Sequence, residues 1–286
     1  MRTPAYPPMP PHEMPPARTL IVPGRGELFL RDSGGDGPAV MLLHGWTVSA
    51  DLNWHAAYGP LVEAGYRVLA IDHRGHGRGL RAMTPFRLLD CAGDAAAVVR
   101  ELGVAPAMFA GYSMGGAIAQ LIARDHRDVV SGLVLSGTAQ HFQDPETAKI
   151  WKWMGTVGTL LSVAPRTAWR AGFRHADIPM SPRTAWWLSE LTRHCARDLA
   201  EAGRELGRFD SRPWLGAVSV PAAAVITTRD RSVSPRKQHE LAAAIGATVF
   251  EVPIDHLEVT NRAGEYNPAL LQALAALGAA ERVKAA

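Results

Sequence analysis

Ala107-Met108-Phe109-Ala110-Gly111-Tyr112-Ser113-Met114-Gly115-Gly116 is the stretch whose reading decides the fold. Its first four residues form a short apolar run, the pattern of a strand covered on both faces. Gly111 to Gly115 then reads G-x-S-x-G, and Met114, Ile118, Leu121 and Ile122 share one face of a helical pattern. Strand, tight turn and helix form the setting of a nucleophile elbow, where the backbone strains to lift a serine hydroxyl clear of a sheet edge. Side chains at positions 111 and 115 would collide with the neighbouring helix and strand, so glycine is required at both. The N–H of Met114, at the start of the helix, is placed to face a developing negative charge.

Working outward, apolar runs alternate with helical patterns on both sides of this stretch. Leu20-Ile21-Val22 and Glu27-Leu28-Phe29-Leu30 flank the turn Pro23-Gly24-Arg25-Gly26, which predicts a hairpin. Buried strands follow at Ala39–Leu43 and Tyr66–Ile71, with a helix expected over 50–64 between them. An amphipathic helix is expected over 86–102, and a further strand at Val130–Leu135. This alternation predicts an α/β fold with a mostly parallel, doubly wound sheet. From 141 to 209 the strands stop and only helical or loop patterns remain, with five of the chain's eight tryptophans. The sheet resumes at Ala222–Ile226, then come a helix over 235–245, the strand Thr248–Val252, a loop holding His256 and a last helix bearing Leu270, Leu271, Leu274 and Leu277. Three parts result: a proline-rich, flexible tail at 1–18, a core at 19–140 and 210–286, and a helical insertion at 141–209.

Composition bounds the function. The chain has 286 residues, 47% hydrophobic and 20% charged, as in a globular protein with a sizeable core. No apolar run approaches the ~18 residues of a membrane helix, and no signal-like segment opens the chain, so cytoplasmic residence is expected. A net charge of +3 without a Lys/Arg block argues against nucleic acid as a partner. Cys91 and Cys195 form neither a metal-ligand spacing nor a disulfide framework. Gly75, Gly77 and Gly79 lack dinucleotide-binding spacing.

A serine hydroxyl needs a positioned base, usually a histidine oriented by a carboxylate. Of eleven histidines, His256 is best placed, in a loop after the last strand. Asp230 follows the strand ending at Ile226. Asp255 is adjacent to His256 and poorly placed to reach the ring nitrogen facing away from the serine. The order is therefore Ser113, Asp230, His256.

With His44-Gly45-Trp46, Asp72-His73-Arg74-Gly75-His76-Gly77, Gly111-Tyr112-Ser113-Met114-Gly115-Gly116, Asp230 and His256 in that order, the chain resembles the α/β-hydrolase family from about Leu20 to Leu277. The resemblance implies an oxyanion hole from the backbone N–H groups of Trp46 and Met114. It also implies that 141–209 is a helical cap. No metal or organic cofactor is implied, and no particular substrate-binding residue is singled out. His44 is expected to hydrogen-bond loop backbone, and Asp72, His73 and His76 to fix a loop.

The activity these features imply is that of a serine hydrolase cleaving a small-molecule ester or lipid-like substrate with an apolar acyl or alkyl group. Aspartate-nucleophile chemistries of the family, haloalkane dehalogenation and epoxide hydrolysis, conflict with Ser113. A C–C bond hydrolase, a perhydrolase resembling the non-haem haloperoxidases and a thioesterase share the same triad. A non-catalytic receptor on this fold is the remaining class. Residues 141–209 carry ten Lys/Arg against seven Asp/Glu, a surplus that points to anionic lipids or acidic substrates, or to a solvated helix face.

Overall fold

The computed structural model describes residues 6–143, 164–175 and 177–285, with side chains described to 278. Eight strands form one sheet in the order β1-β2-β4-β3-β5-β6-β7-β8. They are β1 (Ala17–Val22), β2 (Gly26–Asp32), β3 (Ala39–Leu43), β4 (Arg67–Ile71), β5 (Ala107–Tyr112), β6 (Val130–Ser136), β7 (Ala222–Thr227) and β8 (Thr248–Val252). The β1–β2 and β2–β4 pairs are antiparallel, and all the others are parallel.

Side chains alternate across each strand, so a sheet with both faces covered must be apolar at every position. Met41, Leu43, Leu69, Ile71, Phe109, Leu133 and Leu135 face one way, against α3 (Leu88–Glu101) and α4 (Met114–Asp125). Val40, Leu42, Val68, Ala70, Met108, Ala110 and Val134 face the other. There they meet Trp54 of α1 (Ala50–Trp54), Tyr58 and Leu61 of α2 (Tyr58–Glu63), and Tyr266, Leu270 and Leu274 of the last helix (Ala263–Ala285).

The single helix expected over 50–64 is two short ones. Pro60 has no N–H to give to the carbonyl of Ala56, and Asn267 Nδ2 donates to that oxygen instead at 2.7 Å.

Among the described residues, three α-helices lie between β6 and β7: α5 (Pro165–His175), α6 (Pro182–Leu191) and α7 (Ala196–Arg208). His141 pairs with Asp210 in an isolated antiparallel bridge, so the insertion leaves and rejoins the core at adjacent points. Trp151 and Trp153 lie outside the described residues; Trp186 is buried. Three of the insertion's arginines, Arg193, Arg197 and Arg208, pair one for one with its own Glu190, Asp198 and Glu205, which leaves the basic surplus unchanged. The sheet continues to α8 (Pro235–Ile245) and ends at α9 (Ala263–Ala285).

The N-terminal segment departs from the expected free tail. Ala17 and Arg18 already belong to β1. Pro15 is buried, and its carbonyl accepts from Arg31 Nη1 at 3.1 Å, while that of Pro16 accepts from Asp32 N–H at 3.0 Å. Further out, Met9 N–H donates to Pro182 O at 3.2 Å, and the His12 ring stacks on His55 at 5.1 Å. Proline removes donors but keeps its carbonyl, and these carbonyls dock the segment. Among the described residues, no helix is long and apolar enough to cross a membrane.

Candidate active site

The elbow lies where β5 hands over to α4. Ser113 has φ 53° and ψ −114°, a conformation costly for a residue with a Cβ. Its backbone is tied on both sides: its N–H donates to Ser136 O at 2.9 Å, and Thr138 Oγ1 donates to its carbonyl at 2.8 Å. A Cβ at Gly111 would stand 2.3 Å from Gly115 O, and one at Gly115 would stand 2.0 Å from Leu43 O. No flexible side chain gives way at either point, so β3, β5 and α4 approach this closely only because both residues are glycine.

His256 sits in the loop between β8 and α9. Its Nε2 is 3.0 Å from Ser113 Oγ, and its Nδ1 is 2.7 Å from Asp230 Oδ2. A carboxylate can only accept, so in the neutral ring Nδ1 carries the proton and Nε2 accepts from the serine hydroxyl. Asp230 is itself immobilised. Its Oδ1 accepts from the backbone N–H groups of Ser232 (2.8 Å) and Val233 (2.7 Å), and its Oδ2 also accepts from Thr227 Oγ1 (2.7 Å) and Gln238 Nε2 (3.2 Å). The amide of Gln238 spans Thr227 as well, accepting from its N–H at 3.0 Å. Thr227 and Gln238 are buried polar residues that the sequence reading missed. A threonine closing an otherwise apolar strand, just before the expected carboxylate, was the available signal.

Asp255 points elsewhere. It accepts from Arg231 Nε at 2.5 Å and from the N–H of His256 at 2.6 Å. Partial burial would push its carboxyl up, but the Arg231 side-chain and backbone donors and the His256 N–H hold it below the usual range.

The 44–46 loop passes beside the nucleophile: a Cβ on Gly45 would be 3.5 Å from Ser113 Cβ. Gly45 N–H donates to Asn53 Oδ1 at 2.9 Å, and the Trp46 indole N–H donates to Leu199 O of α7 at 2.9 Å. Met114 is the first residue of α4, where backbone N–H groups lack intrahelical partners.

His44 and the 72–79 loop are held by hydrogen bonds to main chain. His44 Nε2 accepts from His73 N–H at 2.9 Å, which leaves Nδ1 to donate to Gly45 O at 2.8 Å. Asp72 accepts from the N–H groups of Ala50 and Arg78, both at 2.7 Å, and burial pushes its carboxyl up to about 6. The buried His44, His73 and His76 form a cluster with the half-buried His194, with ring centroids 4.2 to 5.6 Å apart along the chain of contacts. Burial lowers His73 and His194 to about 3 and places His44 and His76 well below their ordinary range. Among the described residues, no group of three or more His, Cys, Asp or Glu is arranged to hold a metal ion.

A hydroxyl, a ring nitrogen and a carboxylate in hydrogen-bonded line at the end of a parallel sheet can support nucleophilic acyl chemistry. The fold agrees with the comparisons to known proteins. The alpha/beta hydrolase fold family matches residues 38–205, and the chain belongs to it; it is an enzyme of the α/β-hydrolase class. It is 40% identical to a non-heme haloperoxidase of Rhodococcus erythropolis over 77% of this chain and 84% of that protein. It is 39% identical to a bifunctional esterase/perhydrolase of Acinetobacter calcoaceticus, over 38% of this chain and 40% of that one. Among solved structures, the enol-lactonase of Burkholderia xenovorans LB400 superposes with a TM-score of 0.74 at 26% identity, covering 90% of this chain and all of that one.

Proposed function

We propose that this enzyme cleaves a carboxylic ester with an apolar acyl or alkyl group through an acyl-enzyme formed on Ser113. The observation that carries the reading is the line from Ser113 Oγ through His256 to Asp230, with contacts of 3.0 and 2.7 Å. His256 Nε2 takes the serine proton as Oγ bonds to the ester carbonyl carbon, and the carbonyl electron pair moves onto oxygen. The backbone N–H groups of Trp46 and Met114 receive that oxyanion, each such donor typically lowering a barrier by about 3–4 kcal/mol. Asp230 holds the ring in the required tautomer and stabilises its cation. Collapse breaks the ester C–O bond, and the departing alkoxide takes the proton from His256. Water then attacks the acyl carbon, giving its proton to the same nitrogen; the bond from that carbon to Ser113 Oγ breaks, Oγ takes the proton back from His256, and the acid leaves. The helices α5, α6 and α7 of the insertion serve as a cap for this site, a role supported by the Trp46 indole N–H bonded to Leu199 O of α7.

A second reading is favoured by the relatives whose names include haloperoxidase and perhydrolase. Hydrogen peroxide in place of water would attack the same acyl-enzyme and release a peracid, with no change in the roles of Ser113, His256 and Asp230. A C–C bond hydrolase or thioesterase would use the same residues on a different leaving group.

The test is hydrolysis of p-nitrophenyl esters from acetyl to palmitoyl, wild type against Ser113→Ala, with peroxide added in a parallel series. A chain-length optimum that disappears in the variant is the expected result. Peracid formation exceeding acid release at low peroxide would favour the second reading. Folded wild type that neither turns over nor is labelled by a fluorophosphonate would overturn both and leave the receptor class.

A further inference from the structure

Tyr112 closes β5 and immediately precedes the nucleophile. Successive side chains of a strand point to opposite faces, and the Tyr112 ring lies buried beneath the site, on the side lined by α1 and α9. Its phenol oxygen donates to the main-chain carbonyl of His256 at 2.6 Å. The ring is held in that pose. Trp54 and Tyr266 meet it edge-on, with centroids 6.4 and 6.2 Å away. Gly137 leaves so little room that an added Cβ would touch the ring and its hydroxyl at 3.0 to 3.1 Å. Burial first, then the nearby Asp230, Tyr266 and Asp255 charges, push the phenol well above its ordinary range, so it remains a donor at any working pH.

The loop carrying His256 is tied toward β7 by Arg229 N–H on Ile254 O (3.2 Å) and by Arg231 on Asp255. Those contacts fix one flank. The hydrogen bond from Tyr112 grips the carbonyl of His256 itself, and it comes from the residue bonded to Ser113. We propose that Tyr112 is a positioning residue: its hydroxyl ties the main chain of the base to the strand end bearing the nucleophile, so that one short stretch sets the separation of His256 Nε2 from Ser113 Oγ. This inference rests on the triad reading of Ser113 and His256. Losing the hydroxyl would leave a buried carbonyl without its donor and free the loop on its inner flank. A displacement of about 1 Å at a reacting group can cost on the order of a hundredfold in rate.

The test is Tyr112→Phe, which removes one oxygen and keeps the packed ring, with near-ultraviolet circular dichroism as the check on folding. On p-nitrophenyl acetate and hexanoate, kcat is expected to fall about tenfold or more, by the same factor for both esters, with KM within about twofold. Fluorophosphonate labelling of Ser113 slows in parallel. In a His256→Ala background, Tyr112→Phe leaves the residual rate unchanged, because there is no base left to position. Tyr112→para-aminophenylalanine, which restores a donor at the same place, recovers the rate. An unchanged kcat, a loss confined to KM, or an equal loss without His256 would overturn the proposal while wild-type labelling of Ser113 upheld the triad. Wild-type protein that is not labelled would overturn the triad reading and this inference together.

Discussion

Arg78 Nη2 stands 2.6 Å from Glu190 Oε1, and the pair joins the loop after β4 to α6 of the insertion. Glu190 is 1% exposed and also accepts from Ser49 Oγ at 3.3 Å. Arg78 in turn lies 3.4 Å from the buried Asp51 and 4.0 Å from Asp72. One guanidinium therefore serves three buried acids, and an ion pair of this kind matters most through what its loss leaves behind. Arg78→Met should destabilise the protein by up to about 3–5 kcal/mol in urea unfolding, because the buried Glu190 then keeps only Arg193, a half-exposed side chain 3.1 Å away, as its ion-pair partner. Arg78→Met with Glu190→Leu should recover much of that loss. A double variant as unstable as the single one would mean that Asp51 and Asp72, not Glu190, depend on the arginine.

The histidine cluster sets a direction for pH. His194 comes from the insertion and accepts from Gly77 N–H at 2.9 Å, while His44, His73 and His76 belong to the core. Their folded values lie below the unfolded 6.5, with His73 and His194 near 3, so the unfolded chain binds more protons in acid. Their contribution is fully present above about pH 6.5 and is lost as pH falls toward the folded values, at up to about 1.4 kcal/mol per histidine per pH unit. The melting temperature should thus fall steeply between pH 6 and pH 4. His194→Asn, whose carbonyl can still accept from Gly77 N–H, should flatten that slope by about one proton. An unaltered slope would place the acid sensitivity elsewhere.

The elbow makes a prediction of opposite sign at two glycines. Inside a helix, Gly→Ala ordinarily stabilises by about 0.5–1 kcal/mol. Gly172, in α5, has nothing within 4 Å of an added Cβ and should follow that rule. Gly115 should not, because its Cβ would lie 2.0 Å from a main-chain oxygen of β3. Gly115→Ala is expected to destabilise by several kcal/mol, as overpacking against backbone does, and to abolish labelling of Ser113. Calorimetry on the two variants side by side checks it.

Much of the architecture was readable because it rests on local patterns. Continuous apolar runs mark β3, β5 and β7, and the boundaries of α8 and β8 coincide with those expected at 235–245 and 248–252. The order of Ser113, Asp230 and His256 picked out side chains that do meet in space. What was not readable depends on partners distant in sequence. The break between α1 and α2 needs Asn267, more than two hundred residues away, to take over a carbonyl. The docking of Pro15 and Pro16 needs Arg31 and Asp32. Gln238 reaches Asp230 only because α8 packs back on β7, and Tyr112 meets His256 across 144 positions of chain. Polar residues at such points carry no periodic signature, since each is fixed by its own tertiary contacts and not by a repeating pattern.

The two candidate acids can be separated by experiment. Asp230 touches His256 Nδ1 and has its other oxygen saturated by two backbone donors. An amide at 230 keeps the shape but can present an N–H to the ring, which selects the wrong tautomer. Asp230→Asn should therefore lower kcat by about four orders of magnitude with the fold intact. Asp255 faces Arg231, whose side chain is 88% exposed, and the N–H of His256. Asp255→Asn leaves an acceptor for that N–H and removes only a solvent-screened charge, so the rate should change by less than about threefold. Stopped-flow acylation with p-nitrophenyl acetate resolves the two cases. A large loss in Asp255→Asn together with a small one in Asp230→Asn would mean that the working carboxylate is the neighbour of His256, and that the 2.7 Å contact to Asp230 is only structural.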